Sequence, residues 1–360
     1  MLCQFCGNAE TRYFKVINSK VYCRKCIKFK RSIFKEKEIT SINNPEFNLG
    51  FSLTKNQVEC SNQLLEMINV CDCVVYAACG AGKTEIVLET IKRSIDQGMR
   101  VGFSIPRRQV VLELGKRLSE YYSNLKIVTV CEGYTEEVLG DLVICTTHQL
   151  FRYSQYFDLL IIDEPDAFPY KNNDVLKNFA RNSCKGNIIY LSATPDKDLL
   201  SKHVITLFKR PHNKPLPVPF NIITNKLLLI VRLWRWIKTH NYSLIFVPTI
   251  QQGYLLSKIF NIPFVCSKTS NNEEIIRKMM NKEIEHLMTT TILERGVTFK
   301  GIDVLVLFAD HLVYDEASLI QIAGRVGRDS NNPTGEVTFL SLRKSMVVKR
   351  SIQAIERMNA

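Results

Sequence analysis

Val74-Val75-Tyr76-Ala77-Ala78-Cys79-Gly80-Ala81-Gly82-Lys83-Thr84-Glu85 is the stretch whose reading decides the fold. A short apolar run of strand length passes through two glycines into Ile86, Val87, Ile91 and Ile95. Their near-helical spacing runs up to Gly98, a helix C-cap. Strand, glycine loop, Lys-Thr and helix together match a phosphate-binding loop, although Ala77 stands where the general pattern has its first glycine. Gly80, Ala81 and Gly82 let the backbone wrap a phosphate with its N–H groups. Lys83 can reach the β and γ phosphates of ATP, and Thr84 can ligate Mg2+ at the helix N-terminus. Cys79 reads as a small loop side chain, since no partner base is evident.

Working outward, residues 101–105, 126–130, 141–145, 159–163 and 187–192 are short strand candidates, several apolar throughout, as strands buried on both faces are. The run at 159–163 delivers Asp163 and Glu164 at its C-terminal end, where ligands bind in open α/β sheets. Asp163 can hold Mg2+ together with Thr84, and Glu164 can orient and deprotonate an attacking water. Pro211, Pro215, Pro217 and Pro219 then mark an extended linker, 211–219. Beyond it the scheme repeats, with strand candidates at 243–247, 286–290, 304–309 and 336–340. The expected fold class is α/β: two parallel-sheet domains in tandem, 50–210 and 220–360, preceded by a small module, 1–49. No further domain is expected after the last strand-like run.

The N-terminal module carries Cys3-x2-Cys6 and Cys23-x2-Cys26, the spacing of a tetrahedral four-cysteine Zn2+ site. So small a module lacks a core, and metal binding would supply its folding energy. Ten Lys and Arg (Arg12, Lys15, Lys20, Arg24, Lys25, Lys28, Lys30, Arg31, Lys35, Lys37) face Glu10, Glu36 and Glu38 there. Tyr13, Phe14, Tyr22 and Phe29 interleave with them, which fits either base stacking or packing of the module itself.

The whole chain has 360 residues, 46% hydrophobic and 23% charged, which excludes disorder and small disulfide scaffolds. No apolar run approaches the roughly 20 residues of a membrane span, and no signal peptide is visible, so the reducing cytosol is the expected compartment. A net charge of +13 suggests a polyanionic partner.

The order LTKNQ (53–57), ACGAGKTE (78–85), IPRRQ (105–109), TTHQL (146–150), DEPDAFPY (163–170), SATP (192–195), LIFVPT (244–249), TTTILERGVTF (289–299) and QIAGRVGR (321–328) resembles the motif series of superfamily 2 helicases. The resemblance implies two RecA-like domains. It also implies that Gln57 reads the adenine edge beside Phe51, and that Ser192 and Thr194 couple hydrolysis to movement through Asp166. Arg325 and Arg328 would be arginine fingers to the γ-phosphate, and Arg107, Thr147, His148, Thr249 and Thr290 would line a groove for one strand. Thr298 stands where many members place an aspartate near the ribose, and Gln321 replaces the histidine of strict DEAD-box proteins.

DEPDAFPY, AGRVGR and the four-cysteine module together resemble ComFA-type competence ATPases. That implies an ATP-driven translocase of single-stranded DNA in natural competence, at the inner face of the cell membrane. Its implied partners are a membrane channel and a phosphoribosyltransferase-like competence protein, with homo-oligomerisation left open. Two alternatives stay open: a duplex-unwinding helicase of the primosomal restart type, and a non-hydrolysing zinc-dependent nucleic-acid-binding module.

Overall fold

The computed structural model describes residues 1–27, 29, 46–294 and 297–360. Lys28, Lys30, Arg31, Lys35, Glu36, Lys37 and Glu38 of the basic stretch, the boundary at residues 43–45, and Arg295 and Gly296 lie outside the described residues. The chain divides into two units, Met1–Ala77 with Lys83–Leu207, and Ala78–Gly82 with Phe208–Ala360.

The first unit opens with a hairpin of β1 (Phe14–Ile17) and β2 (Lys20–Cys23). It continues through α1 (Lys55–Met67), β3 (Cys73–Ala77), α2 (Lys83–Ile86), α3 (Leu88–Asp96), β4 (Val101–Ile105), α4 (Arg108–Tyr121), β5 (Ile127–Val130) and β6 (Leu142–Thr146). Then come β7 (Phe157–Asp163), α5 (Asp174–Ser183), β8 (Cys184–Ser192), α6 (Lys197–Leu200) and β9 (His203–Leu207). The sheet order is β5-β6-β4-β7-β8-β3-β9, every pairing parallel. β4 and β6 are buried along their whole length, which explains why their sequences do not alternate. The helix expected from Ile86 to Ile95 is broken at Val87 into α2 and α3, and Gly98 follows in the left-handed region at φ 74°.

The second unit runs β10 (Phe220–Ile223), α7 (Lys226–Thr239), β11 (Ser243–Phe246), α8 (Ile250–Phe260), β12 (Phe264–Val265), α9 (Asn272–Met280), β13 (His286–Thr289), β14 (Asp303–Leu307), α10 (Glu316–Ala323), β15 (Val337–Ser341) and α11 (Met346–Asn359). Its parallel sheet has the order β12-β13-β11-β14-β15-β10. The two sheets therefore repeat one topology: β12, β13, β11, β14, β15 and β10 take the places of β5, β6, β4, β7, β8 and β3. Each is a RecA-like domain.

Strands β9, β10 and β12 were not expected from sequence. The first two lie at sheet edges with mostly exposed or half-buried residues, so their apolar signal is weak, and β12 has only two residues. The proline-rich segment before β10 is also less free than its composition implies. Leu216 is buried, its N–H donates to Asn359 Oδ1 (2.8 Å), and its carbonyl accepts from Asn359 Nδ2 (2.9 Å), which straps the segment to α11.

Candidate active site

In the first unit, the strand order β7-β8-β3 sets three C-terminal ends side by side. β3 leads into the glycine loop, where Gly80 and Gly82 have φ of 80° and 87°, a region glycine enters at little cost. Lys83 and Thr84 are the first two residues of α2, so both stand at a helix N-terminus. Asp163 is the last residue of β7. Glu164 follows with φ 53°, unusual for a side chain of this kind, while its N–H donates to Leu191 O of β8 at 2.9 Å. The turn aims consecutive carboxylates from a fixed backbone.

β8 ends on Ser192, and the third carboxylate of DEPD meets it. Ser192 Oγ donates to Asp166 Oδ1 (2.7 Å) and Thr194 Oγ1 to Asp166 Oδ2 (2.8 Å), with Thr194 N–H donating to Ser192 Oγ (3.0 Å). A buried carboxylate accepting from two hydroxyls ties the loop after β7 to the loop after β8. Gln57 is buried in the first turn of α1. There its Oε1 accepts from the Thr54 N–H (2.9 Å) while Thr54 Oγ1 accepts from the Gln57 N–H (3.4 Å), a capping box. Phe51 is exposed and sits edge-on to Tyr121.

Arg107 stands at the N-cap position of α4 without a side-chain capping bond, and His148 is exposed after β6. Thr147, by contrast, is buried and its hydroxyl accepts from Ser104 Oγ at 3.4 Å, so at that position the backbone is what a strand could reach. In the second unit, Thr249 caps α8, with its hydroxyl accepting from the Gln252 N–H (3.2 Å) and donating to Gln252 Oε1 (3.0 Å). Thr290 follows β13. Both therefore stand at C-terminal strand ends.

The arginines of QIAGRVGR differ from each other. Arg325 is 1% exposed and donates to the carbonyls of Glu294 and Val297. Arg328 is half-buried, with Nε donating to Gly324 O at 2.9 Å. Gln321 accepts from the Cys79 thiol (3.3 Å) within the same unit. A residue that motif reading missed organises this region. Arg210, 1% exposed, donates to Cys79 O, Val326 O and Gly327 O at 2.9 Å and to Gly324 O at 3.3 Å. Burial without a carboxylate partner pulls its guanidinium down to about 10. Its only sequence signal is its place at the mouth of the proline-rich segment.

The cysteine quartet is assembled. Cys3 and Cys26 sulfurs lie 3.6 Å apart, as do those of Cys6 and Cys23, and all four fall within 4.8 Å of one another. A tetrahedron with Zn–S bonds of about 2.3 Å has edges of about 3.8 Å, so the donor set fits zinc. Burial raises the Cys3 thiol, but backbone N–H groups of Cys6 and Phe5 outweigh it and bring it to about 7, whereas burial and the neighbouring thiols push Cys6 up to about 11 and raise Cys26 as well. Zinc here would act as a cross-link. The aromatic question resolves in part: Phe29 packs on Phe151 (5.1 Å between centroids) and Phe179 (5.0 Å), and Phe5 on Phe179 (4.8 Å). Phe14 joins the same core, while Tyr13 lies under Lys25 and Arg12. Asn178 Nδ2 donates to Cys6 O (3.0 Å) and Asn182 Nδ2 to Phe5 O (2.7 Å) and Gln4 O (3.2 Å), so α5 holds the module to the sheet.

Two tandem RecA-like domains with a phosphate loop and a DEPD turn define a helicase-like ATPase. Consistent with this, residues 54–201 match the DEAD/DEAH box helicase family and residues 225–330 the helicase conserved C-terminal domain. The chain is 33% identical to competence protein ComFA of Bacillus subtilis over 99% of this chain and 85% of that protein. It is 34% identical to ComFA of Streptococcus pneumoniae over 100% and 90%. The chain belongs to the ComFA family of competence proteins. A Mycobacterium smegmatis helicase, Lhr, solved with single-stranded DNA and AMP-PNP, shares the fold with a TM-score of 0.62 at 15% identity. That likeness covers 87% of this chain and 50% of Lhr.

Proposed function

We propose that the protein is an ATP-driven translocase of single-stranded DNA that draws transforming DNA inward during competence. The observation that carries this reading is the set of neighbouring strand ends. Lys83 and Thr84 follow β3, Asp163 ends β7 with Glu164 next, and Ser192 at the end of the intervening β8 and Thr194 just past it are bonded to Asp166. In this reading the backbone of Gly80 to Gly82 and Lys83 bind the phosphates of ATP. Thr84 and Asp163 would hold Mg2+, which supplies charge neutralisation on those phosphates. Glu164 orients the attacking water and takes its proton, and Gln57 meets the adenine edge. Arg328 and Arg325 supply cationic stabilisation at the γ-phosphate. Arg325 must first leave its present carbonyl partners, so its engagement is tied to the loss of its bonds to Glu294 O and Val297 O.

Asp166, Ser192 and Thr194 transmit the state of the phosphates to the strand-facing loops. Backbone and side-chain groups at Arg107, Thr147, His148, Thr249 and Thr290 grip the strand without reading its sequence. Zn2+ on Cys3, Cys6, Cys23 and Cys26 keeps the N-terminal module folded. No described helix is long and apolar enough to cross a membrane. The family likeness supports a station at the inner face of the membrane beside a DNA channel and a phosphoribosyltransferase-like partner.

The test is ATP hydrolysis by zinc-replete protein with no polymer, single-stranded DNA, duplex DNA or single-stranded RNA, beside Lys83→Ala. Strong stimulation by single-stranded DNA alone is expected, with a silent variant. Equal stimulation by RNA removes the DNA assignment, and no turnover with any polymer removes the motor.

A further inference from the structure

The second sheet repeats the topology of the first, and its counterpart of the nucleotide pocket is preserved as a hollow. β14 occupies the place of β7 and also ends on a left-handed residue, Phe308 at φ 52° against Glu164 at 53°; the N–H that reaches the neighbouring strand's carbonyl belongs to Glu164 itself in the first unit (to Leu191 O, 2.9 Å) and to the next residue, Ala309, in the second (to Leu340 O, 2.8 Å). Two residues past the left-handed residue in each copy stands an aspartate tied to the neighbouring strand's end. Asp166 holds Ser192 and Thr194, whereas Asp310 accepts from the Leu342 N–H (2.9 Å) and lies 3.5 Å from Arg343 Nε. Lys226 opens the helix after β10 as Lys83 opens the one after β3. Lys226, Phe308, His311, Leu312, Leu342 and Arg343 line a cavity of about 480 Å3.

The chemistry of this copy has changed. Leu307 and Phe308 stand where Asp163 and Glu164 stand in the first unit, so it has no carboxylate pair for a magnesium-bound phosphate. Only Thr224 and Asn225 join β10 to α7, too short a loop to cradle a triphosphate. What remains is an apolar floor of Phe308 and Leu342 with two exposed cationic rim residues, Lys226 and Arg343, the second paired with Asp310, which also lines the hollow. Leu312 is 98% exposed at its mouth, on a turn fixed by the His311 N–H to Phe308 O (2.8 Å), the Tyr314 N–H to His311 O (3.0 Å) and the Val313 N–H to His311 Nδ1 (3.2 Å). Gln252 also lines the hollow and is bonded to Thr249, so it adjoins the residue already proposed for the strand groove.

We propose that this hollow is a subsite for one nucleotide of the single strand: a base lies against Phe308, Leu342 and Leu312, and its flanking phosphates meet Lys226 and Arg343. The size suits a base and sugar, and the apolar floor with a cationic rim is the combination that binds strands irrespective of sequence. The proposal rests on the strand-binding reading above, and the experiment separates the two. Binding of the full chain to a fluorescent dT20 oligonucleotide is measured by anisotropy across salt concentrations for the wild type and for Lys226→Gln/Arg343→Gln. Leu312→Trp serves as a fluorescence reporter against the wild-type signal of Trp234 and Trp236.

Losing two phosphate contacts lowers the slope of log K against log salt by about 1.4 and weakens binding about 25-fold at 0.1 M salt, taking 1 M as reference. Leu312→Trp should be quenched by dT20, and hydrolysis without polymer should be unchanged in all variants. If the wild type binds dT20 while the double variant keeps its slope and Leu312→Trp stays unquenched, the subsite is overturned and the strand-binding reading survives. Quenching by ATP but not by dT20 overturns it in favour of a free-nucleotide site. If the wild type binds no oligonucleotide at any salt, both readings fall.

Discussion

If α5 fastens the four-cysteine module to the first sheet, cutting the hydrogen bonds of that fastening should lower the stability of the sheet domain and weaken its dependence on zinc. Asn178 contributes one hydrogen bond, to Cys6 O, and Asn182 contributes two, to Phe5 O and Gln4 O. Each is a neutral, partly buried bond of about 1 kcal/mol, so Asn178→Ala/Asn182→Ala should cost about 3 kcal/mol. For a unit of this size that corresponds to a fall in melting midpoint of about 6 to 12 °C. Phe179→Ala is harsher. Its ring is buried against Phe5, Phe29 and Phe151, and removing it should cost about 3 to 5 kcal/mol.

The assay is thermal unfolding followed by far-UV circular dichroism, with and without a zinc chelator. In the wild type the chelator should lower the midpoint of the first domain, because zinc binding is linked to a module that shares its core. In the double variant the same chelator should shift it less, since three of the bonds that couple the module to the sheet are gone while the packing of Phe5 and Phe29 on Phe179 remains. If the chelator strips zinc from the wild type and the midpoint of the first domain does not move, the module is an independent appendage and the reasoning fails.

Glu164→Gln should bind ATP normally and lose turnover by several orders of magnitude, whereas Glu164→Gly should lose turnover without a large stability cost, since φ 53° suits glycine; nucleotide binding and unfolding midpoints together check this. Asp166→Ala breaks the hydroxyl bonds to Ser192 and Thr194, and should lower DNA stimulation of hydrolysis far more than hydrolysis without polymer, read in one ATPase series. Arg328→Ala should reduce stimulated turnover by about 10³, the scale of an arginine finger, with the unfolding midpoint within a few degrees of wild type. Asp72 gives a pH test: burial raises its carboxyl, but the Ile188 N–H and Lys202, helped by Arg181, hold it below the usual value. A depressed folded-state value stabilises the protein above pH about 4 and is lost as pH falls below that. Acid titration of stability should show that loss in wild type and a flatter curve in Asp72→Asn.

What was legible in the sequence is what a phosphate requires of contiguous backbone. Gly80 to Thr84 must be neighbours in the chain to wrap one anion, and Asp163 and Glu164 must end one strand, so both could be read locally. The cysteine pairs are legible for the same reason, because each knuckle brings its own sulfurs together. Arg210 is the opposite case. Its partners are backbone carbonyls of Cys79, Gly324, Val326 and Gly327, and carbonyls carry no residue identity, so no motif marks them. The same silence covers Glu164's left-handed turn, the packing of Phe29 on Phe179, and the commitment of the Thr147 hydroxyl to Ser104.

The two sheets show most clearly where sequence reading stops. At the counterpart strand ends, the acid pair Asp163-Glu164 faces the apolar pair Leu307-Phe308, and a five-residue glycine loop faces two residues, so pattern matching finds no repeat. The backbone nevertheless places a left-handed residue at both ends, at φ 53° and 52°, each with an N–H at or just after it satisfied by the neighbouring strand's carbonyl. Packing preserves that geometry whatever side chain is present. Chemistry at the turn is then set by which residue stands there: carboxylates suit a phosphate and its metal, and an aromatic ring suits a base. On the readings proposed above, that difference would let one half of the chain turn over a nucleotide while the other holds a nucleotide of the strand.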